Sequence, residues 1–269
     1  MSLYDVLGDI TEGNGKKTDG GESKITGAAV GIVAKKYSKD MPGRVCVQIP
    51  VRDKDANVLK WAKVAMFSAG KKWGGYFLPE IGDKVLLMFE GGNIEKPYII
   101  GSIFPENSTF LSDTADENNQ YKKITTKNGN TIFFEDNSEG EGSKDKIKIE
   151  TAKEERTILL DNENKIISIN DKKKENAIEI DSENGIITVK SGKELKINVG
   201  NVSVKIDGEN GTLDIKCQKL SVKAEQGIKM ETNGMLKIKS ENGSISGNSS
   251  MKVSSDGTTV IGGAMIKEG

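Results

Sequence analysis

From about residue 124 to 262 the chain keeps a two-residue rhythm. Apolar pairs recur as Ile147/Ile149, Ile158/Leu160, Ile167/Ile169, Ile178/Ile180, Ile187/Val189, Ile197/Val199, Val204/Ile206, Leu213/Ile215, Leu220/Val222, Ile228/Met230 and Leu236/Ile238. The series closes with Ile245, Met251/Val253 and Ile261. Residues two apart point to the same side of a strand, so each pair predicts one short strand with one apolar face. Between pairs lie polar segments rich in Gly, Asn, Asp and Lys, and the step is about nine residues. Such spacing predicts a repeating β architecture. Asn128-Gly129, Asn184-Gly185, Asn210-Gly211, Asn233-Gly234 and Asn242-Gly243 supply the positive-φ positions of tight turns.

No aromatic residue follows Phe134 and no proline follows Pro105. A single-chain sandwich of this length normally fills the space between its sheets with large aromatic side chains. Two aliphatic residues per strand suit instead a narrow core to which several copies each contribute a wall. The absence of proline fits a sheet in which every N–H is used. The expectation is an intertwined, homo-oligomeric β-helix over residues 123–262, most simply a homotrimer; a monomeric β-solenoid is the alternative.

The first half follows another pattern. Leu3, Val6, Leu7 and Ile10 share one face of a short helix. They would make residues 1–24 a docking arm for a neighbouring protein, followed by a Gly- and Lys-rich stretch read as flexible. Residues 25–105 carry five strand-like runs at 28–34, 44–49, 61–65, 84–89 and 98–103, together with most of the aromatic residues. That suits a small five-stranded barrel. Pro79 to Asp83 punctuates a turn before the fourth run. Residues 106–122 read as a polar linker in which Phe110 and Leu111 could tuck against the barrel.

Composition then excludes much chemistry. The 269 residues hold no histidine, which removes Ser/His and Cys/His pairs and His-ligated metals. The formal charge of −1 and the few arginines argue against a nucleic-acid partner. No apolar run reaches the length of a membrane-spanning helix, and no secretory signal pattern opens the chain, so synthesis in the cytoplasm is expected. Cys46 and Cys217 have no motif neighbours. Cys217 continues the parity of Leu213 and Ile215, so it is expected to pack as a small apolar residue. Acidic pairs such as Glu135/Asp136 and Asp181/Glu183 are interleaved with lysine, as on a solvated surface, and the Asp-rich turns lack the ligand spacing of a calcium loop. No catalytic set, cofactor or metal site is expected.

Several landmarks together carry a resemblance. Gly43-Arg44-Val45, Trp61, Pro79-Glu80-Ile81-Gly82-Asp83, Phe89-Glu90-Gly91-Gly92 and Lys96-Pro97-Tyr98-Ile99-Ile100-Gly101 follow one another in order, with Lys127-Asn128-Gly129-Asn130 and Phe133-Phe134-Glu135-Asp136 beyond them. This series resembles phage baseplate assembly protein V and the Vgr spike proteins of type VI secretion. The resemblance implies an all-β homotrimer: an OB-fold collar, with Trp61, Pro79, Gly82, Asp83 and Gly101 as landmarks, followed by a triple-stranded β-helix needle. It implies the central spike of a contractile phage tail, a phage-tail-like bacteriocin or a related injection system, assembled into a virion baseplate or secreted particle and driven through a target envelope. A separate hub protein would meet the collar end and the arm. At the far end, Val260, Ile261, Met265 and Ile266 would form a small apolar tip (263–269 and the residues before it) under a capping protein. A carbohydrate-binding fibre or OB-fold ligand module is the rival reading. It would need exposed aromatics on the repeating half, and the sequence has none there past Phe134.

Overall fold

The computed structural model describes residues 15–17, 23–25, 27–50 and 58–267. Leu3, Val6, Leu7 and Ile10 lie outside the described residues. The chain divides into two units, residues 1–195 with 207–211, and residues 196–206 with 212–269.

The first unit opens with a short antiparallel pair, β1 (Gly15–Lys17) and β2 (Ser23–Ile25). The glycine-rich composition there was read as flexible, because three-residue strands are too short to show alternation. Ile25 packs against the barrel core. That barrel is closed by β3 (Ala29–Lys35), β4 (Arg44–Ile49), β5 (Val58–Val64), β6 (Lys84–Phe89) and β7 (Pro97–Ile103) in the order β3-β4-β5-β7-β6. Neighbours are antiparallel except β5 and β7, which run parallel through Lys63↔Tyr98 and Val64↔Ile99. This is an OB-type barrel. Alternation in each strand sends Val33, Val45, Val47, Ile49, Ala62, Val85, Leu87, Phe89 and Ile99 into one core. At roughly 1.5–3 kcal/mol per buried side chain, that cluster is the main source of the barrel's stability.

After the barrel, a single helical turn, α1 (Thr109–Ser112), is capped by the Ser108 hydroxyl, which accepts from the Leu111 N–H. Of the two residues expected to tuck against the barrel, Phe110 stacks on Phe104, just past β7, at 5.4 Å, with the Lys123 ammonium 4.6 Å from its ring, while Leu111 is exposed.

Seven strands then form one antiparallel meander: β8 (Tyr121–Thr125), β9 (Thr131–Glu135), β10 (Lys146–Glu150), β11 (Arg156–Asp161), β12 (Ile166–Asp171), β13 (Ala177–Asp181) and β14 (Ile186–Lys190). The register aligns the apolar pairs. Ile124, Ile132, Ile149, Ile158, Ile169, Ile178 and Val189 face one another strand after strand. Phe134, Ile147, Leu160, Ile167, Ile180 and Ile187 make a second row, which begins at Lys122.

The second unit contains most of the sheet of β15 (Glu194–Val199), β16 (Val202–Asp207) and β17 (Thr212–Lys216), in that order. Residues 217–267 form no strand, although the rhythm continues through Ile261. An extended segment becomes a strand only where a neighbour takes its N–H and C=O groups, and none of the described residues supplies that neighbour here. Cys217, expected to be covered, is exposed for the same reason.

Candidate interaction surface

Among the described residues no three potential ligands from His, Cys, Asp and Glu converge as a metal site, and no helix is long and apolar enough to cross a membrane. What stands out is a sheet turned outward. Across the meander the apolar rows are the exposed side: Ile149 is 42% accessible, Ile169 51% and Ile187 70%. The other face is more covered although it is more polar, with Asp161 and Ser168 both buried. Apolar area of this extent open to water is costly and marks a contact surface. Phe77, from the barrel's long loop, joins Ile132, Ile149, Ile158, Ile169 and Ile178 in lining one concavity of about 870 Å³ on this face.

The loop that delivers Phe77 is itself an aromatic projection. Phe67, Trp73 and Tyr76 are exposed at 84%, 68% and 69%. A bridge between Ala69 and Gly74 ties the loop, with the Gly70 N–H donating to the Trp73 carbonyl at 2.8 Å and the Gly75 N–H to the Ser68 carbonyl at 2.9 Å. At Gly74, φ is +146°, and a Cβ would lie 2.6 Å from the Ser68 oxygen, so only glycine fits.

The barrel landmarks turn out to be architectural neighbours. Gly82, at φ +95°, donates its N–H to the Val33 carbonyl, and the Asp83 carbonyl accepts from the Val33 N–H. The Asp83 carboxylate accepts from the Glu80 N–H at 2.8 Å. Pro79 is buried beside this turn. Trp61 stands opposite Cys46 across β4 and β5, and burial pushes the Cys46 thiol up. Gly101 follows a bulge, since Leu86 pairs with Gly101 and Leu87 with Ile99, leaving Ile100 as the extra residue. The Glu80 carboxylate takes Lys36 at 2.5 Å and Lys127 at 3.3 Å. Hydrogen bonds first from Lys36 and then from Lys127 hold it below the usual carboxylate range.

Two turns of the meander and the turn between β16 and β17 share one device. The Asp161 carboxylate accepts from the backbone and side-chain amides of Asn164, Asp181 does the same with Asn184, and Asp207 with Asn210. At Asp161 burial opposes ionisation, but these bonds and Lys146 outweigh it and hold the carboxyl low. At Asp181 the Asn184 side chain is the main cause. The Glu within two of these turns pairs with a lysine at or beside the neighbouring turn on the same edge, as in Lys146–Glu163 and Lys165–Glu183, both at 2.8 Å. The clasp follows a recurring Asp-x-Glu-Asn spacing, which alternation of apolar and polar positions does not reveal.

At the distal end of the described chain, Val260, Ile261, Met265 and Ile266 are all exposed, from 56% to 84%.

Comparison with known proteins bears on the barrel. Residues 29–104 match the Type VI secretion system/phage-baseplate injector OB domain family. A stretch of 138 residues, 50% of this chain, is 25% identical to the Type VI secretion system spike protein VgrG5 of Pseudomonas aeruginosa, and it spans 16% of that relative's length. The resemblance to baseplate protein V and Vgr-type spike proteins is thus borne out, with an injector-type OB domain at residues 29–104.

Proposed function

We propose that this chain is the central spike of a contractile injection apparatus, built as a parallel homotrimer in which the meander and the segment after it form a needle. The observation that carries this reading is the outward apolar face: two aligned rows across seven strands, with no element of the same sheet to cover them. Each copy offers a flat wall two aliphatic residues wide. Three such walls meeting about an axis enclose a narrow, dry core, and the small side chains leave no void to fill with aromatics. Residues 217–267, which form no strand in one chain, gain strand partners from the other two copies. The injector OB domain supports a collar role at the top of such a needle.

The mechanism is mechanical and non-enzymatic. The collar sits on a separate hub protein, reached by the arm at residues 1–24. The apolar residues Val260, Ile261, Met265 and Ile266 receive a capping tip protein, and sheath contraction carries the assembly through a target envelope. Unfolding one tier of an interlocked needle requires separating chains, so resistance is a matter of rate. The test is the mass of the purified protein by light scattering, with denaturing gels run unheated and boiled. A trimer that survives detergent until boiled supports the reading. A monomer that unfolds at ordinary temperatures overturns it.

A further inference from the structure

We propose that the two rows of turns flanking the meander are oppositely charged recognition edges, by which copies of this chain align in the same direction as they assemble. This rests on the trimeric reading above. In an antiparallel meander, alternate turns fall on opposite edges of the sheet. Residues 126–130, 151–155 and 172–176 lie along one edge; residues 136–145, 162–165 and 182–185 lie along the other. The first set holds five lysines against three glutamates, net +2; the second holds two lysines against six acidic residues, net −4. Counting the first and last residue of each strand as well leaves the first edge at +2 and takes the second to −6. Neither imbalance follows from composition, since the whole chain carries −1.

Some of these charges are paired within the chain, as Lys172 is with Glu155 and Glu139 with Lys144, and others are not. Lys173 and Lys174 on the basic edge, and Glu141 on the acidic one, have no ion-pair partner among the described residues. Cyclic symmetry decides what they meet. In a closed ring each copy presents one edge to the neighbour on one side and its other edge to the neighbour on the other. Around a parallel three-fold axis a basic edge therefore always meets an acidic edge. A copy inserted upside down would bring acidic against acidic. From β10 onward the apolar faces make this distinction poorly, because both rows there are aliphatic throughout. Exposed pairs add little to equilibrium stability, so the effect lies in orientation and encounter rate.

The test uses the full chain, refolded by dilution from denaturant, with trimer formation followed by light scattering. Lys173→Glu/Lys174→Glu and, separately, Glu139→Lys/Glu141→Lys, which also breaks the Glu139–Lys144 pair at 2.7 Å, are compared with the unaltered chain and with the quadruple variant. At low salt each double variant is expected to assemble about tenfold more slowly, and the gap should close at about 1 M NaCl, where screening is nearly complete. The quadruple variant, whose turn edges stand at −2 and 0, regains no attraction between edges and should stay slow at low salt. Double variants that match the unaltered chain at low salt, or a lag that persists at about 1 M NaCl, would overturn the proposal while leaving the trimer standing. An unaltered chain that never leaves the monomer would overturn both. Circular dichroism of each variant separates slow assembly from failure to form strands.

Discussion

Ile149 and Ile158 face each other directly across β10 and β11, on the side of the sheet that water reaches, at 42% and 38% exposure. A cross-strand isoleucine pair in that position contributes little by itself, and it contributes fully only once something lies over it.

Ile158→Ala therefore separates two situations. On a permanently open face the change is close to neutral. Under the walls of two further copies it removes buried methyl groups and costs about 2–5 kcal/mol per chain. The second outcome is expected, read as a lower detergent-resistance temperature of the trimer. Ile158→Asp is expected to leave the chain monomeric by light scattering, because a carboxylate cannot be buried unpaired.

The barrel is expected to respond locally. Gly82 holds φ +95° with open space around the site of a Cβ. Gly82→Ala thus meets backbone strain without a clash, and should lower barrel stability by about 1–2 kcal/mol, measured by denaturant unfolding of the full chain.

The two thiols give an independent reading of coverage. Cys46 is buried opposite Trp61 with its thiol pushed up, whereas Cys217 is exposed in the single chain. Cys46 should resist a thiol reagent until the barrel unfolds. Cys217 should react freely in the Ile158→Asp monomer and be protected in the assembled protein. Reagent uptake counted per chain checks both.

Acid should loosen the turns. The carboxyls of Asp161, Asp171 and Asp181 are held below their ordinary value, those of Asp171 and Asp181 chiefly by the side-chain amides of Asn176 and Asn184. A native pKa below the unfolded one means the unfolded state takes up protons first. The stabilisation is complete above the unfolded value near pH 4 and is lost as pH falls through the native one. Thermal stability should be flat from about pH 8 to 5 and decline below about 4. Asp181→Asn should flatten part of that decline.

Much of this was legible along the chain. The two-residue rhythm placed Ile147/Ile149 through Ile187/Val189 on one face, and register pairing put them in two rows. Barrel runs such as Arg44–Ile49 and Lys84–Phe89 coincide with the strands formed. Past Lys216 the same rhythm yields no strand, because periodicity states which side of a strand is apolar and says nothing of whether a partner is present. Cys217 misled for that reason. The charge difference between the turn rows was overlooked because it appears only when alternate turns are grouped, and the linear sequence interleaves them.

The constant register also bears on how such a chain changes over time. Each pair of strands with its two turns repeats the same two apolar rows and returns the chain to the same edge. Inserting or deleting such a unit alters the length of the meander by two inter-strand spacings, roughly 10 Å, without disturbing its face or the order of its edges. Reach is therefore a quantity that duplication can tune in whole increments, independently of the barrel that holds the other end.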